Sequence, residues 1–164
     1  MISIKLTMAT VALLGLTACG GTFGSGSNAG GAGGISQSSL DPSSIAYFNQ
    51  EIGDTVLFLV NQSSLSPEAA ALLDRQATWL LENGQNDVTI EGHADEQGTR
   101  EYNLALGARR AASVQNYLVS RGLTDARIRT VTYGKERPLA VCSSEECWSK
   151  NRRAVTLVTG GLGS

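Results

Sequence analysis

At 164 residues and a formal net charge of −2, the chain carries neither the basic field that holds nucleic acid nor an acidic tail. Aromatic residues, at 5%, are too sparse for a platform that stacks bases or sugar rings, whereas 41% hydrophobic residues suffice for one small core. Charge is unevenly spread: Lys5 is the only charged residue before Asp41, which divides the chain into a processed front, a neutral linker and a globular remainder.

The front end reads as an address. Lys5 supplies a basic start, and Leu6 to Leu16 is apolar except for Thr7 and Thr10. That run is shorter than the ~20 apolar residues a spanning helix needs, but it suits the apolar region of a signal peptide. It ends in Leu16-Thr17-Ala18-Cys19, which resembles the bacterial lipobox, in which the Cys is lipidated and becomes the mature N-terminus. The expectation is a signal peptide over residues 1–18 and lipidation at Cys19; ordinary cleavage near Ala18 is the alternative. Gly20 follows, where Asp favours inner-membrane retention in well-studied bacteria, so the anchor points to the outer membrane. From Gly20 to Gly34, 8 of 15 residues are Gly. Such a segment buries too little apolar surface to offset its ordering entropy, and it reads as a tether running to about residue 45, with residues 46–164 as the domain.

Within the domain, Asp54 to Val60 is a nearly continuous apolar run of strand length and predicts a buried strand. Ser66-Pro67-Glu68 is a helix start, and Ala70, Leu73, Ala77, Leu80 and Leu81 then recur at helical spacing until Asn83-Gly84. Val88 and Ile90 alternate with Thr89 and Glu91 as a second strand. A second helix is expected from about Glu101 to Ser120, with Leu104, Ala108, Ala111, Val114 and Leu118 inward. Residues 127–133 and 152–159 read as two further strands. Strand–helix–strand repeats need crossovers, so part of the sheet must be parallel. The predicted fold is an α/β sandwich of βαβαββ order, with helices packed on a mixed four-stranded sheet.

Polar residues cluster between the second strand and second helix, from Gly92 to Thr99. Asp95 lies just before the helix; Asn103 and Arg110, seven residues apart, share one helical face. A fixed carboxylate and a guanidinium flanking one pocket suit a zwitterion, the carboxylate taking an ammonium and the guanidinium a carboxylate. A structural Asp95–Arg110 ion pair closing the loop on the helix is the competing reading. His93, the only histidine, reads as structural, and no spacing of His, Cys and carboxylates suggests a metal site or cofactor. With Cys19 lipidated, Cys142 and Cys147 remain, enclosing Ser143-Ser144-Glu145-Glu146; a disulfide is expected, with free thiols or metal ligation as alternatives.

The run from Glu91 through His93, Asp95 and Gly98 to Asn103, Leu106, Arg110 and Ala111 resembles the OmpA-like C-terminal domain family. Tyr133 to Pro138 and Ser149 to Val155 are similar to it as well, and the resemblance covers about residues 54–158. It implies binding of the diaminopimelate side chain of the peptidoglycan stem peptide. Asp95 matches the family's ammonium-binding Asp, Arg110 its carboxylate-binding Arg, and Asn103 and Leu106 positions that shape the pocket. On this reading, Arg110→Ala costs binding rather than fold. Asn61 stands where the family commonly carries an acidic residue, and it lacks the charge. The implied role is a non-enzymatic tether of outer membrane to cell wall, facing the periplasm. The implied partners are peptidoglycan, the membrane through the lipid, and the Tol system's periplasmic propeller protein with other Tol proteins; nucleic acid is not among them. A peptidoglycan hydrolase or amidase, and a wall binder outside the Tol system, are the alternatives.

Overall fold

The computed structural model describes residues 40–160. The signal peptide, Cys19 and the Gly-rich stretch lie outside the described residues. Packing reaches back before residue 46: the Trp79 indole N–H donates to the Pro42 carbonyl at 2.7 Å. Ser44 caps α1 (Ile45–Tyr47), which runs into a π-helical turn, Phe48–Gly53, that sequence pattern did not signal. Phe48 there is fully buried against Trp79.

Strand β1 (Thr55–Leu57) leads to α2 (Pro67–Glu82), β2 (Asn86–His93), α3 (Arg100–Ser120) and β3 (Ile128–Gly134), then to α4 (Glu145–Asn151) and β4 (Arg153–Gly160). The sheet order is β1-β4-β2-β3. β4 is antiparallel to both β1 and β2, and β2 is parallel to β3. Hence β1, β2 and β3 all point one way, with β4 inserted between β1 and β2. The α/β class, four strands and packed helices agree with the sequence expectation; α4, between the last two strands, is additional to the predicted order.

Local chemistry explains the helix boundaries. The Ser66 and Thr99 hydroxyls accept from the Ala69 and Tyr102 amides, and Pro67 fills the first turn of α2. Val88 and Ile90 are buried while Thr89 and Glu91 are half-buried, so one face of β2 meets the helices. Leu73, Leu80, Ala111, Val114 and Leu118 complete that core.

Two expectations need correction. The Asp54–Val60 run is not a buried strand: only Thr55–Leu57 pairs, with β4 alone, and Leu57, Leu59 and Val60 are exposed. An edge strand buries alternate residues, here Val56 and Phe58, whatever the hydropathy of the others. In α3, Ala108 is exposed, and the buried face of the first three turns is Asn103, Leu106, Gly107 and Arg110. That face is turned toward the end of β2, where Gly92 and Gly107 let helix and strand approach. A Cβ on Gly92 would collide with the Gly107 carbonyl.

Candidate functional site

The topology assembles the site. β1, β2 and β3 end at the same edge of the sheet, and β4 begins there. Phe58 and Asp95 therefore meet Arg152, although 57 residues separate Asp95 from Arg152. A bulge between Gly92 and His93 turns the end of β2 out of regular pairing.

Arg110 is fully buried. Its Nε donates to the Gln62 carbonyl at 2.9 Å, Nη1 to His93 at 2.7 Å and Nη2 to Leu59 at 3.1 Å. Its planar group lies 5.2 Å from the Phe58 ring centre. Burial lowers its pKa to about 10; nearby Asp95 opposes that shift and Arg152 adds to it. A guanidinium has five N–H donors, and three are used here, so two remain without a partner among the described residues. Arg110 is thus a clasp between the β1–α2 segment and β2. Its removal carries a stability cost beside any loss of binding, because the buried His93 carbonyl and the part-buried Leu59 and Gln62 carbonyls lose their donor and the buried side chain leaves a void. The expectation that Arg110→Ala costs binding rather than fold therefore has to be tested by measuring unfolding beside binding.

Asp95 is not hydrogen-bonded to Arg110. One of its oxygens accepts from Arg152 Nη1 at 3.2 Å and the other from the Gln97 amide at 3.2 Å. Arg152 also donates to the Phe58 carbonyl at 3.2 Å and pairs with Glu145 through Nη1 and Nη2. Asp95, Arg110 and Arg152 are all nearly or wholly buried, whereas the Glu145 side chain is 62% exposed. Arg152 pairing lowers the Glu145 pKa, and that of Arg152 is raised, first by Glu145 and then, against burial, by Asp95. Neighbouring arginines on a strand ordinarily give one local ion pair and one solvated charge, but Arg152 and Arg153 are both buried, and Arg152 is the one guanidinium lining a cleft of about 650 Å³. Leu57, Phe58, Leu59, Leu65 and Pro67 wall this cleft, with Glu145 and Ser149 beside Arg152.

The remaining predicted residues frame this centre. Buried Asn103 donates to the Gln97 carbonyl at 2.8 Å, bracing the loop that holds Asp95, and its Oδ1 has no partner among the described residues. Leu106 is buried on the same helical face. Asn61 has φ 56° in the turn above Arg110, and its Oδ1 accepts from the Tyr102 hydroxyl at 3.3 Å. Asn tolerates that left-handed conformation better than most residues. His93 is buried, stacked near Tyr133, and neither ring nitrogen is hydrogen-bonded to the described residues. Its pKa falls to about 4 through burial first and then the charges of Arg153 and Arg137. Nε2 lies 3.6 Å from Glu91, but a ring neutral at pH 7 makes no ion pair there. Cys142 and Cys147 are joined by a disulfide that brackets the start of α4. The Trp148 indole of that helix donates to Glu96 at 3.0 Å, tying α4 to the loop that carries Asp95.

The chain belongs to the OmpA family, whose model matches residues 57–152. Within that family it groups with the peptidoglycan-associated lipoproteins. The one from Rhizobium meliloti (strain 1021) is 50% identical over 157 residues, covering 96% of this chain and 88% of that protein. The one from Pseudomonas aeruginosa is 52% identical over 99 residues, 60% of this chain and 58% of that protein. The crystal structure of the peptidoglycan-associated lipoprotein from Burkholderia pseudomallei has a TM-score of 0.67 at 36% identity, covering 73% of this chain and 100% of that one. The C-terminal domain of Helicobacter pylori MotB shares the fold at 20% identity, with a TM-score of 0.62 over 66% of this chain and 86% of that one.

Proposed function

We propose that this chain is an outer-membrane lipoprotein that grips peptidoglycan non-covalently and tethers the membrane to the cell wall as part of the Tol–Pal system. The observation that carries the reading is the buried cluster of Asp95, Arg110 and Arg152 where β1 and β2 end and β4 begins. It occurs in a chain whose relative over 96% of its length is named a peptidoglycan-associated lipoprotein. Asp95 is held by Arg152 and the Gln97 amide, and a carboxylate oxygen can accept more than one bond, so it retains capacity for the diaminopimelate ammonium. Arg110 has two free N–H donors for the adjoining carboxylate. The Leu59–Gln62 turn, whose Leu59 and Val60 are exposed, covers Arg110 and must shift for the ligand to reach it. Asn103 and Leu106 shape the pocket, and Asn61 replaces a charged contact with a neutral one. Lipidation at Cys19 supplies the anchor, residues 20–45 the reach, and the Tol propeller protein is a second partner of the domain.

The test is co-sedimentation of full-length, detergent-solubilised protein with purified diaminopimelate-containing sacculi. Asp95→Asn keeps the shape but not the charge, and a lost charge-assisted contact weakens binding by roughly tenfold or more. Thermal unfolding on the same samples separates a lost contact from a lost fold. Undiminished sedimentation of folded Asp95→Asn protein refutes the site. Wall degradation on a zymogram would instead favour a hydrolase, and retention of Cys19→Ser protein on membranes would remove the lipid anchor from the account.

A further inference from the structure

Arg152 carries two carboxylates that differ in freedom. Asp95 is buried, and its second oxygen is fixed by the Gln97 amide. Glu145 is 62% exposed, reaches Arg152 from a separate element, and has no other hydrogen-bond partner among the described residues. The Glu145–Arg152 contact sits on the wall of the 650 Å³ cleft, which Leu57, Phe58, Leu59, Leu65 and Pro67 line together with Gln62, three serines and Glu68, and in which Arg152 is the one cationic side chain. Closing the fold requires only one carboxylate on Arg152, and Asp95 supplies it. Resting on the wall-binding reading above, we propose that the Glu145 carboxylate is a built-in placeholder for a ligand carboxylate on Arg152, and that binding displaces it. The ligand group is a carboxylate on a short aliphatic stem, a second acidic group of the same stem peptide whose zwitterionic end meets Asp95 and Arg110.

Several observations make the exchange physically accessible. A glutamate that leaves this contact regains water and rotamer freedom, so an ion pair with one exposed partner is weak. Asp95 stays behind, so Arg152 never stands buried without a counter-charge. The incoming carboxylate meets a guanidinium whose plane is already set by the Phe58 carbonyl and Asp95. Glu145 is kept close by its short element: the Cys142–Cys147 disulfide spans the start of α4, and Asn151 at its end bonds the Leu139 and Ala140 amides and the Ala140 carbonyl. The placeholder therefore competes at the high effective concentration of a tethered group, which raises the threshold for a lone carboxylate while a multiply anchored stem peptide still wins.

The test compares Glu145→Gln with Glu146→Gln in full-length protein. Glu146 is a solvated neighbour paired with Lys150 at 3.6 Å. Both changes remove one negative charge, so any general gain on an anionic wall is shared. Glu145→Gln should sediment with sacculi at an apparent Kd roughly two- to fivefold lower than wild type, the factor an exposed ion pair corresponds to. Glu146→Gln should stay within the shared gain. Equal affinities of the two variants, or weaker binding by folded Glu145→Gln, would overturn the placeholder while leaving the wall-binding reading intact. Failure of wild type to sediment would instead overturn that reading and, with it, this one.

Discussion

Two arginines clasp the opposite ends of β2, and they differ in their surroundings. Arg127 sits at the start of the strand and donates to the carbonyls of Leu80, Asn83 and Asn86 at 2.8–3.3 Å, sewing the end of α2 to β2. Arg110 sits at the far end and donates to the carbonyls of Leu59, Gln62 and His93, sewing the β1–α2 segment to β2. The hydrogen-bonding task is the same: a rigid fork satisfies carbonyls that leave regular structure. Only the Arg110 end adds a buried carboxylate, a second buried guanidinium and an exposed glutamate beside a cleft. Burying those charges costs solvation that loop closure alone does not demand, as Arg127 demonstrates. The surplus at one end of an otherwise matched pair separates a binding site from a structural clasp.

The sharpest break of this comparison is paired truncation. Arg110→Ala should lose about 3–5 kcal/mol of unfolding free energy, because the whole side chain is buried and so is the His93 carbonyl it serves. Arg127→Ala, only partly buried, should lose about 1–3 kcal/mol and keep wall binding in proportion to its folded fraction. Urea unfolding with sacculus co-sedimentation reads both. Equal losses of stability, or loss of binding in folded Arg127→Ala protein, would dissolve the distinction.

A smaller effect concerns the brace on the site end. Replacing Cys142 and Cys147 together by Ser opens a short loop, which by chain entropy corresponds to about 2 kcal/mol. Since Trp148 and Glu145 tie α4 to Glu96 and Arg152, hydrogen exchange should accelerate in α4 and the residue 95–99 loop and stay unchanged around Arg127. Uniform acceleration across the domain would contradict a local brace.

The smallest effect is a pH slope from His93. Its folded pKa of about 4 lies below the unfolded value of 6.5, so the unfolded chain binds the proton first as pH falls. Stability is therefore full above about pH 6.5 and is lost from there down toward pH 4, with a slope of at most about 1.4 kcal/mol per pH unit. Urea midpoints at pH 7 and pH 4.5 should fall further apart in wild type than in His93→Gln, where carboxylate contributions remain common to both. Identical pH dependence would place the histidine outside this linkage.

The sequence by itself determined the elements that depend on near neighbours. Ser66-Pro67 and Thr99 start helices because a hydroxyl reaches an amide three residues on, and β2 alternates because adjacent side chains face opposite ways. The Asp95 loop and the Asn103–Arg110 face were legible for the same reason: two helical turns fix their separation. Tertiary structure decided the pairing of charges. Arg110 is near Asp95 along the chain, but Arg152 is the residue bonded to it, because β4 inserts between β1 and β2 and delivers its first residues to the end where β2 stops. Strand order is a long-range outcome with no local signal, and so were Arg152 and Glu145. Helix α4 was missed on related grounds: seven residues carry too little periodicity to read, and its order comes from a disulfide and from Asn151 reaching back across the chain. Likewise the hydropathy of Asp54–Val60 suggested burial, but exposure follows from position at the sheet edge, which only the assembled sheet decides.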